Sequence, residues 1–445
     1  MDKSGMYVGL DIGTTSIKVI VAEKVQGQIN VLGIGNEHSE GVSRGIIVDI
    51  DKAAQSIKRA AAQAEDKSSV QINDVIVGIP SNSLKIEKCS GMIAVADESK
   101  EIDDDDVRRV TNSALTKNLP PEREIIDILP DEFVVDGFNG IKDPRGMVGV
   151  RLEIHGRLIT GPKTIIHNTR KAVEHAGLRP SSIVVNSLAQ GKELLDDGEQ
   201  DFGTILLDLG GGQSTASIIH DHQLKFTSVD NEGGEYITKD ISVVLNTSIE
   251  SAEKIKRDYG YAYSIDASNN DEFPIDVVGQ SKPVKISEKY LSEIIQARLE
   301  QIFERLGKKL DDVSALDLPG GIVLTGGVAA LPGVSELAAD QFGTNVRVYI
   351  PNQMGLRHPS FSLPLALVSY RANMSEIESL VRSSLFNPTK DDKLINSNFN
   401  HIDDHQDNDD SNVKPKNNTS KNNTNTKPIK KRGNSIKHFF THFFD

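Results

Sequence analysis

The chain has no tryptophan and a single cysteine, Cys89, among its 445 residues. One cysteine excludes an intramolecular disulfide and suits a reducing compartment. Without tryptophan there is no indole to stack on a sugar ring, which argues against a carbohydrate pocket. No apolar run approaches the ~20 residues that a membrane-spanning helix needs. An excess of positive charge is missing too. Fifty Lys and Arg stand against 64 Asp and Glu, a net charge of −14, so nucleic-acid binding by bulk electrostatics is excluded. The opening Met1-Asp2-Lys3-Ser4-Gly5 has no basic flank and leads straight into a strand, so no signal peptide is read there. These absences predict a cytoplasmic protein, unless another element holds it to a surface. The length leaves room for roughly two to four domains.

What is present is organised around residues 206–219. An apolar strand ends in Asp208, a glycine turn follows through Gly210, Gly211, Gly212 and Gln213, and a second strand leaves from Ser214. Glycine tolerates positive φ and has no Cβ, so backbone N–H groups there can close on phosphate oxygens. Asp208 at the strand's mouth can hold a hydrated divalent cation for the same phosphates. An ordinary β-hairpin with a glycine turn is the plainer reading of this stretch alone. The same grammar recurs at residues 7–21, where Asp11, Gly13, Thr14 and Thr15 precede a Val- and Ile-rich strand carrying Lys18. A third glycine turn, Gly326-Gly327, ends the apolar strand at 322–325. Two Asp-led hairpins and a third glycine turn, in this order, resemble the actin, Hsp70 and sugar-kinase superfamily. The resemblance implies an α/β, actin-like two-lobed ATPase fold clamping ATP and Mg2+ between the hairpins.

The rest of the chain fits that plan with one displaced part. Residues 28–34 read as a strand, 48–67 as an amphipathic helix and 74–80 as a buried strand ended by Pro80. Residues 84–95 read as a strand with a bend or bulge at Ser90-Gly91. The acidic cluster 103–106 then opens a helix over 107–117, and strands follow at 124–135 and 148–159. A helix at 164–177, a strand at 182–186 and a helix at 188–195 lead to the second hairpin. Gly233-Gly234 opens the next helix, and 248–259 another, with Glu253, Lys254 and Lys256 on its polar side. Residues 287–310 form a long helix with Leu291, Ile294, Ile295, Leu299, Ile302, Phe303 and Leu306 facing inward and Arg298 and Arg305 elsewhere. A strand at 346–349 and a helix at 364–371 return toward the first lobe.

After Phe386 the composition changes. Residues 387–428 are Asn, Asp, Ser, Thr and Lys with scarcely an apolar side chain, a disordered linker with a root-mean-square span of about 35 Å. Beyond it Lys430, Lys431 and Arg432 precede Ile436, Phe439, Phe440, Phe443 and Phe444, one stripe at helical spacing with Lys437 beside it. With no core to join, 429–445 reads as an interfacial amphipathic helix on an anionic membrane, or as a helix docking in a partner's groove.

The displaced insertion between Pro80 and the helix from Thr164, the Arg298 helix, and the linker with its amphipathic end resemble the FtsA family of bacterial cell-division proteins. That resemblance implies subdomain 1A over 1–83 with 163–196 and 361–386, and a small α+β, SHS2-like subdomain 1C over 84–162. It implies a second lobe over 197–360, with subdomain 2B at about 234–312. It also implies an ATP-binding protein that anchors FtsZ filaments of the Z ring to the cytoplasmic face of the membrane at the division septum. Such a protein self-assembles into protofilaments and recruits later divisome proteins. The FtsZ C-terminal tail would meet Arg298, or Arg305, unless Arg298 is spent on an internal salt bridge. Asp11, Gly13, Thr14, Thr15, Lys18, Asp208, Gly210–Ser214, Gly233, Gly234, Glu253, Lys256, Gly326 and Gly327 would form the nucleotide site. Asp11 and Asp208 would reach the metal, Asp208 through water. The position that orients the attacking water in relatives falls at Ser187, with Asn186 one residue away, so at most weak ATPase activity is expected. A sugar kinase, a pilus-assembly actin homologue and an Hsp70-like chaperone are the rival readings.

Overall fold

A computed structural model describes residues 5–95 and 100–385. The linker and the amphipathic stripe expected at 387–445 lie outside the described residues. Strand β1 (Gly5–Ile12) folds back antiparallel on β2 (Ser16–Val25), setting Leu10 against Val19 and Asp11 against Lys18. Strand β3 (Gln28–His38) adds to β2, and a two-rung hairpin of β4 (Val42–Ser43) and β5 (Ile46–Ile47) follows. Helix α1 (Ile50–Ser68) is capped by the Asp49 carboxylate on the Lys52 N–H. Its buried Ala53, Ala60, Ala61 and Ala64 let it lie close on β3. A Cβ at Gly35 would come 1.8 Å from the Ala60 carbonyl oxygen, so no larger residue fits that crossing. Strand β6 (Asp74–Ile79) then runs parallel to β1.

The insertion follows. Strand β7 (Lys85–Ala94), helix α2 (Asp104–Leu115), β8 (Arg123–Val135), β9 (Phe138–Ile141) and β10 (Arg151–Pro162) form an antiparallel sheet in the order β7-β10-β8-β9. Of the bend or bulge expected at Ser90-Gly91, the bulge is absent, and β7 pairs with β10 in unbroken register. Gly91 serves packing instead, since a Cβ there would lie 2.5 Å from the Val110 carbonyl oxygen and the Ala114 nitrogen of α2. The bulges are in the β8–β10 ladder, one of them at His155/Gly156. The acidic cluster closes a capping box, with Asp103 and Asp106 answering each other's backbone N–H groups. Asp106 is fully buried and held by Lys100 and Arg109, both at 3.0 Å.

Helix α3 (Lys163–His175), β11 (Arg179–Val185) and α4 (Asn186–Leu194) complete the first lobe, whose sheet runs β11-β6-β1-β2-β3. After the short α5 (Asp197–Phe202), the second lobe repeats that plan. Strands β12 (Thr204–Leu209), β13 (Ser214–His220) and β14 (Gln223–Asp230) form an antiparallel meander. Helices α6 (Gly234–Leu245) and α7 (Ile249–Tyr259), a ribbon of β15 (Glu272–Ile275) and β16 (Val284–Ser287), and α8 (Glu288–Asp311) come next. Strand β17 (Ile322–Thr325), α9 (Val334–Phe342) and β18 (Val346–Val348) then give a sheet ordered β14-β13-β12-β17-β18. Each lobe is thus a meander followed by two parallel strands added on the side of its first strand. Both first hairpins end at the same cleft. One apolar cluster passes behind it, joining Ile76 and Val184 of the first lobe to Leu206, Ile219 and Val323 of the second.

Helix α10 (Ser362–Asn373) returns across β1, where Gly9 admits the Pro364 carbonyl oxygen. Helix α11 (Glu376–Ser383), expected with the rest of 361–386 in subdomain 1A, packs on the insertion. Its Ile377, Leu380 and Val381 join the core of the insertion, with Val110, Ile128 and Leu152. Arg382 there is buried, donating to the Asp127 carboxylate of β8 and, at 2.5 Å, to the Tyr370 hydroxyl of α10. Burial pushes the Asp127 carboxyl up to about 6 against the pull of Arg382. Removing one partner of such a pair leaves the other charge stranded. Arg382→Met should therefore cost about 3–5 kcal/mol in urea unfolding. The double variant Asp127→Leu/Arg382→Met should recover most of the loss.

Candidate nucleotide cleft

The two hairpins meet in a cleft of about 710 Å³ between the lobes. Each turns by the same bond, Gly13 N–H to Ser16 O at 3.2 Å and Gly210 N–H to Gln213 O at 3.0 Å. They approach so closely that side chains on one need glycine on the other. A Cβ at Gly211 would be 2.6 Å from Thr15 Cγ2, and one at Gly212 would be 2.4 Å from Thr14 Oγ1. Gly326, at φ +91°, fits under Asp208, where a Cβ would lie 2.4 Å from Oδ1. The turns therefore meet across a gap too narrow for side chains, and their glycines leave backbone lining the cleft, a composition suited to phosphate oxygens.

At the heads of the two hairpins Asp11 is buried and Asp208 half-buried. Burial pushes Asp11 up to about 6; Lys18, 3.8 Å away, opposes that rise, and the Asp208 charge adds to it. Burial likewise raises Asp208, against a hydrogen bond from Gln190 Nε2 at 3.0 Å and the charge of Lys18. Two carboxylates with so little compensation suit a divalent cation. Among the described residues no group of three or more His, Cys, Asp or Glu could hold a metal. The cation's remaining ligands would then be water and phosphate, which fits Mg2+.

The structure sorts the predicted residues. Asp11, Gly13, Thr14, Thr15, Lys18, Asp208, Gly210, Gly211, Gly212, Gln213, Gly234, Glu253, Lys256, Gly326 and Gly327 line the cleft. Ser214 and Gly233 stand behind the hairpin. The Ser214 hydroxyl donates to the Glu232 carbonyl at 2.9 Å, and Gly233 packs on the Gly210 and Gly211 carbonyls. Lys256 lines the cleft, but its ammonium donates to Gly234 O at 3.0 Å, Thr238 Oγ1 at 2.7 Å and Glu253 Oε2 at 2.6 Å. Those three bonds use its donors and make it a strut between α6 and α7. Glu253 and Arg257 also line the cleft, but Arg257 Nε donates to Glu253 Oε1 at 2.7 Å, and Glu253 Oε2 accepts the Thr238 hydroxyl as well as Lys256.

Of the two residues considered for the water-orienting position, Ser187 and Asn186, only Asn186 lines the cleft. Ser187 lies outside the cleft, buried between the Ser81 and Ser217 hydroxyls at 2.7 Å each. Asn186 and Gln190 line the cleft instead. Among the described residues, Asn186 Oδ1 and Gln213 Oε1 are buried without a hydrogen-bond partner. Sequence reasoning also missed His358, whose Nδ1 accepts the Ser360 N–H at 3.2 Å. That bond assigns the remaining proton of a neutral imidazole to Nε2. Burial, with Lys18 and Arg257, lowers the His358 pKa. The His-Pro pair ahead of α10 was its only signal. Arg298 and Arg305 lie on α8 and already have acidic partners. Arg298 binds Asp240 at 2.6 Å and Glu232 at 2.9 Å, and Arg305 binds Asp230 and Glu232 at 2.5 Å each.

The sequence matches the family model described as "Cell division protein FtsA" over residues 205–366 and that for "SHS2 domain inserted in FTSA" over 81–160. A "Cell division protein FtsA" of Enterococcus hirae is 59% identical over 389 residues, 87% of this chain and 88% of the relative. The protein of that name from Bacillus subtilis is 42% identical, over 85% of this chain and 86% of its own. This chain belongs to the FtsA family. Among solved structures, a chain of a "PilM-PilN type IV pilus biogenesis complex" is similar at 16% identity and a TM-score of 0.56. The match covers 83% of this chain and 99% of that one. MreB5 of Spiroplasma citri bound to ADP is similar at 12% identity and a TM-score of 0.50, over 84% and 97%. These structures share the actin-like fold with the FtsA family member described here. Membership in that family, with the SHS2 insertion, sets aside the sugar-kinase, chaperone and pilus-assembly alternatives.

Asp11 gives this FtsA-family cleft a measurable pH signature. Its carboxyl rises from 3.8 to about 6 on folding. Between those values the folded state holds more proton than the unfolded one. The contribution of Asp11 to stability is therefore present below that window and lost as pH rises through about 6. In nucleotide-free urea unfolding, the stability of Asp11→Asn minus that of the parent should grow by about 2 kcal/mol from about pH 4.5 to about 7.5. A flat difference would contradict the buried carboxyl.

Proposed function

We propose that the chain binds magnesium-ATP in this cleft and works as a nucleotide-bound assembly and anchoring protein of cell division. The observation that carries the reading is the pair of carboxylate-led hairpins, which line one cleft and whose glycines stand too close to the opposite hairpin to carry a Cβ. In this reading Thr14, Thr15 and the two glycine turns hold the phosphates, and Lys18 meets them as a point charge. Asp11 and Asp208 hold the hydrated metal. A bound Mg2+ neutralises phosphate charge. The amide of Asn186 can orient a water but cannot take its proton, so turnover is slow. Steady-state hydrolysis should fall well below the roughly 1–100 s⁻¹ of phosphoryl-transfer enzymes. A rate inside that range would overturn the assignment.

The partner reading rests on α8. A C-terminal FtsZ tail with acidic side chains and a free carboxylate would dock at Arg298 and Arg305. Because Asp230, Glu232 and Asp240 already satisfy both guanidinium groups, the peptide has to compete for them and binds with modest affinity. Protofilament formation and the recruitment of later divisome proteins complete the family role.

The anchor is the segment 429–445. Among the described residues no helix is long and apolar enough to cross a membrane. Five large apolar residues, Ile436, Phe439, Phe440, Phe443 and Phe444, would contribute up to about 1.5–3 kcal/mol each if fully buried. Interfacial depth and the cost of forming the helix reduce that by about half. Lys430, Lys431, Arg432 and Lys437 add roughly 1 kcal/mol apiece at an anionic leaflet, less in salt. One tail binds reversibly, and an assembled row of tails binds by avidity, so attachment to the cytoplasmic membrane face reports assembly. Truncation after Lys427, or Phe440→Glu, should release the protein from anionic liposomes while ATP and tail-peptide binding persist. Undiminished cosedimentation of the truncated form would transfer the stripe to a partner's groove.

A further inference from the structure

Arg44 stands at the tip of the β4–β5 hairpin at φ +49°, a left-handed conformation that turns it toward the other lobe. Its Nη2 donates to the Tyr236 hydroxyl of α6 at 2.8 Å. The next residue seats the hairpin on the phosphate end of the cleft. Gly45 N–H donates to Thr14 Oγ1 at 2.9 Å, and a Cβ at Gly45 would lie 2.7 Å from the Gln213 side chain. The Arg44–Tyr236 bond therefore spans the two lobes at the edge where the hairpins close.

Tyr236 has a second neighbour. The Arg298 guanidinium carbon lies 5.7 Å from its ring centroid, within cation–π range. Arg298 in turn shares Glu232 with Arg305. The Glu232 carbonyl accepts the Ser214 hydroxyl from the second hairpin, and the Gly234 and Glu235 N–H groups bond the Gly210 and Gly211 carbonyls. One face of the 232–236 segment thus contacts the phosphate hairpin, and the other contacts the cationic side of α8.

We infer that Tyr236 couples closure of the nucleotide cleft to the α8 cationic face, so that nucleotide and an acidic peptide bind with positive cooperativity. The inference rests on the α8 reading given above. The sign follows from what each ligand orders. Nucleotide draws the lobes together and keeps Arg44 on the Tyr236 hydroxyl, which fixes the ring beneath Arg298. A peptide carboxylate that takes the place of Asp240 on Arg298 keeps the guanidinium above the same ring. Each ligand contributes part of the ordering that the other requires. By linkage the factor is equal in both directions.

The test uses the full chain, a fluorescent ATP analogue with Mg2+, and a synthetic peptide with acidic side chains and a free C-terminal carboxylate. Saturating peptide should tighten the analogue's Kd about fivefold, and saturating ATP should tighten the peptide's Kd by the same factor. Tyr236→Phe keeps the ring and removes only the hydroxyl, and Arg44→Gln removes the opposite end of the bond. In both, the factor should fall to about one, with peptide affinity in the absence of nucleotide as in the parent. No coupling in the parent chain, or coupling undiminished in both variants, overturns the inference. Arg298→Ala separates the two readings. Peptide affinity unchanged by that substitution overturns the α8 site itself, whereas affinity lost there with no coupling in the parent overturns the coupling alone.

Discussion

The rest of the structure depends on holding two poorly compensated carboxylates, the buried Asp11 and the half-buried Asp208, at the heads of facing glycine turns. Left to itself the arrangement is unfavourable: Asp11 raises no counter-charge closer than Lys18 at 3.8 Å, and Asp208 has the neutral amide of Gln190. Buried charge of this kind persists only where the surroundings leave the chain no cheaper conformation. Here the surroundings are two five-stranded sheets whose first hairpins end at the same place, tied by an apolar cluster that continues from one lobe into the other. The stability of that shared core maintains the electrostatic tension at the cleft.

The lobes reach the same topology from sequences with little in common beyond the Asp-led turn. The order β11-β6-β1-β2-β3 in one matches β18-β17-β12-β13-β14 in the other, each with two parallel strands beside an antiparallel meander. Divergence is confined to what is attached. The first lobe carries the SHS2 insertion between β6 and α3, and the second carries α6, α7 and α8 between β14 and β17. The cleft receives one phosphate hairpin from each copy, while Glu253 and Arg257 come from the second lobe's additions.

Much of this was legible in the sequence because the glycine turns are local. An Asp followed by glycines between apolar strands states its geometry within about ten residues. The misreadings share a different cause. Ser187 and Asn186 are neighbours at a strand-to-helix junction, where a shift of one position exchanges a side chain in the cleft for one in the core. The partners of Lys256 and Arg298, among them Gly234, Thr238, Glu232 and Asp240, could not be named from the sequence because they belong to other elements. The Gly91 glycine looked like a bend because its reason, the backbone of α2, is supplied by packing. Helix α11 was missed because eight residues with three apolar positions signal a helix only once the insertion's core is there to receive them.

That last helix sets where mechanical load enters the molecule. The chain passes from α11 at Ser383 into the residues beyond 385, so a pull on that end acts first on Ile377, Leu380 and Val381 in the insertion's core. It does not act first on the hairpins. The buried Arg382 contacts to Asp127 and Tyr370 pin the helix simultaneously to the insertion and to α10. Tension is thereby shared between the SHS2 sheet and the helix that crosses β1. The cleft would lie outside the direct line of such a force, which the insertion would take up first.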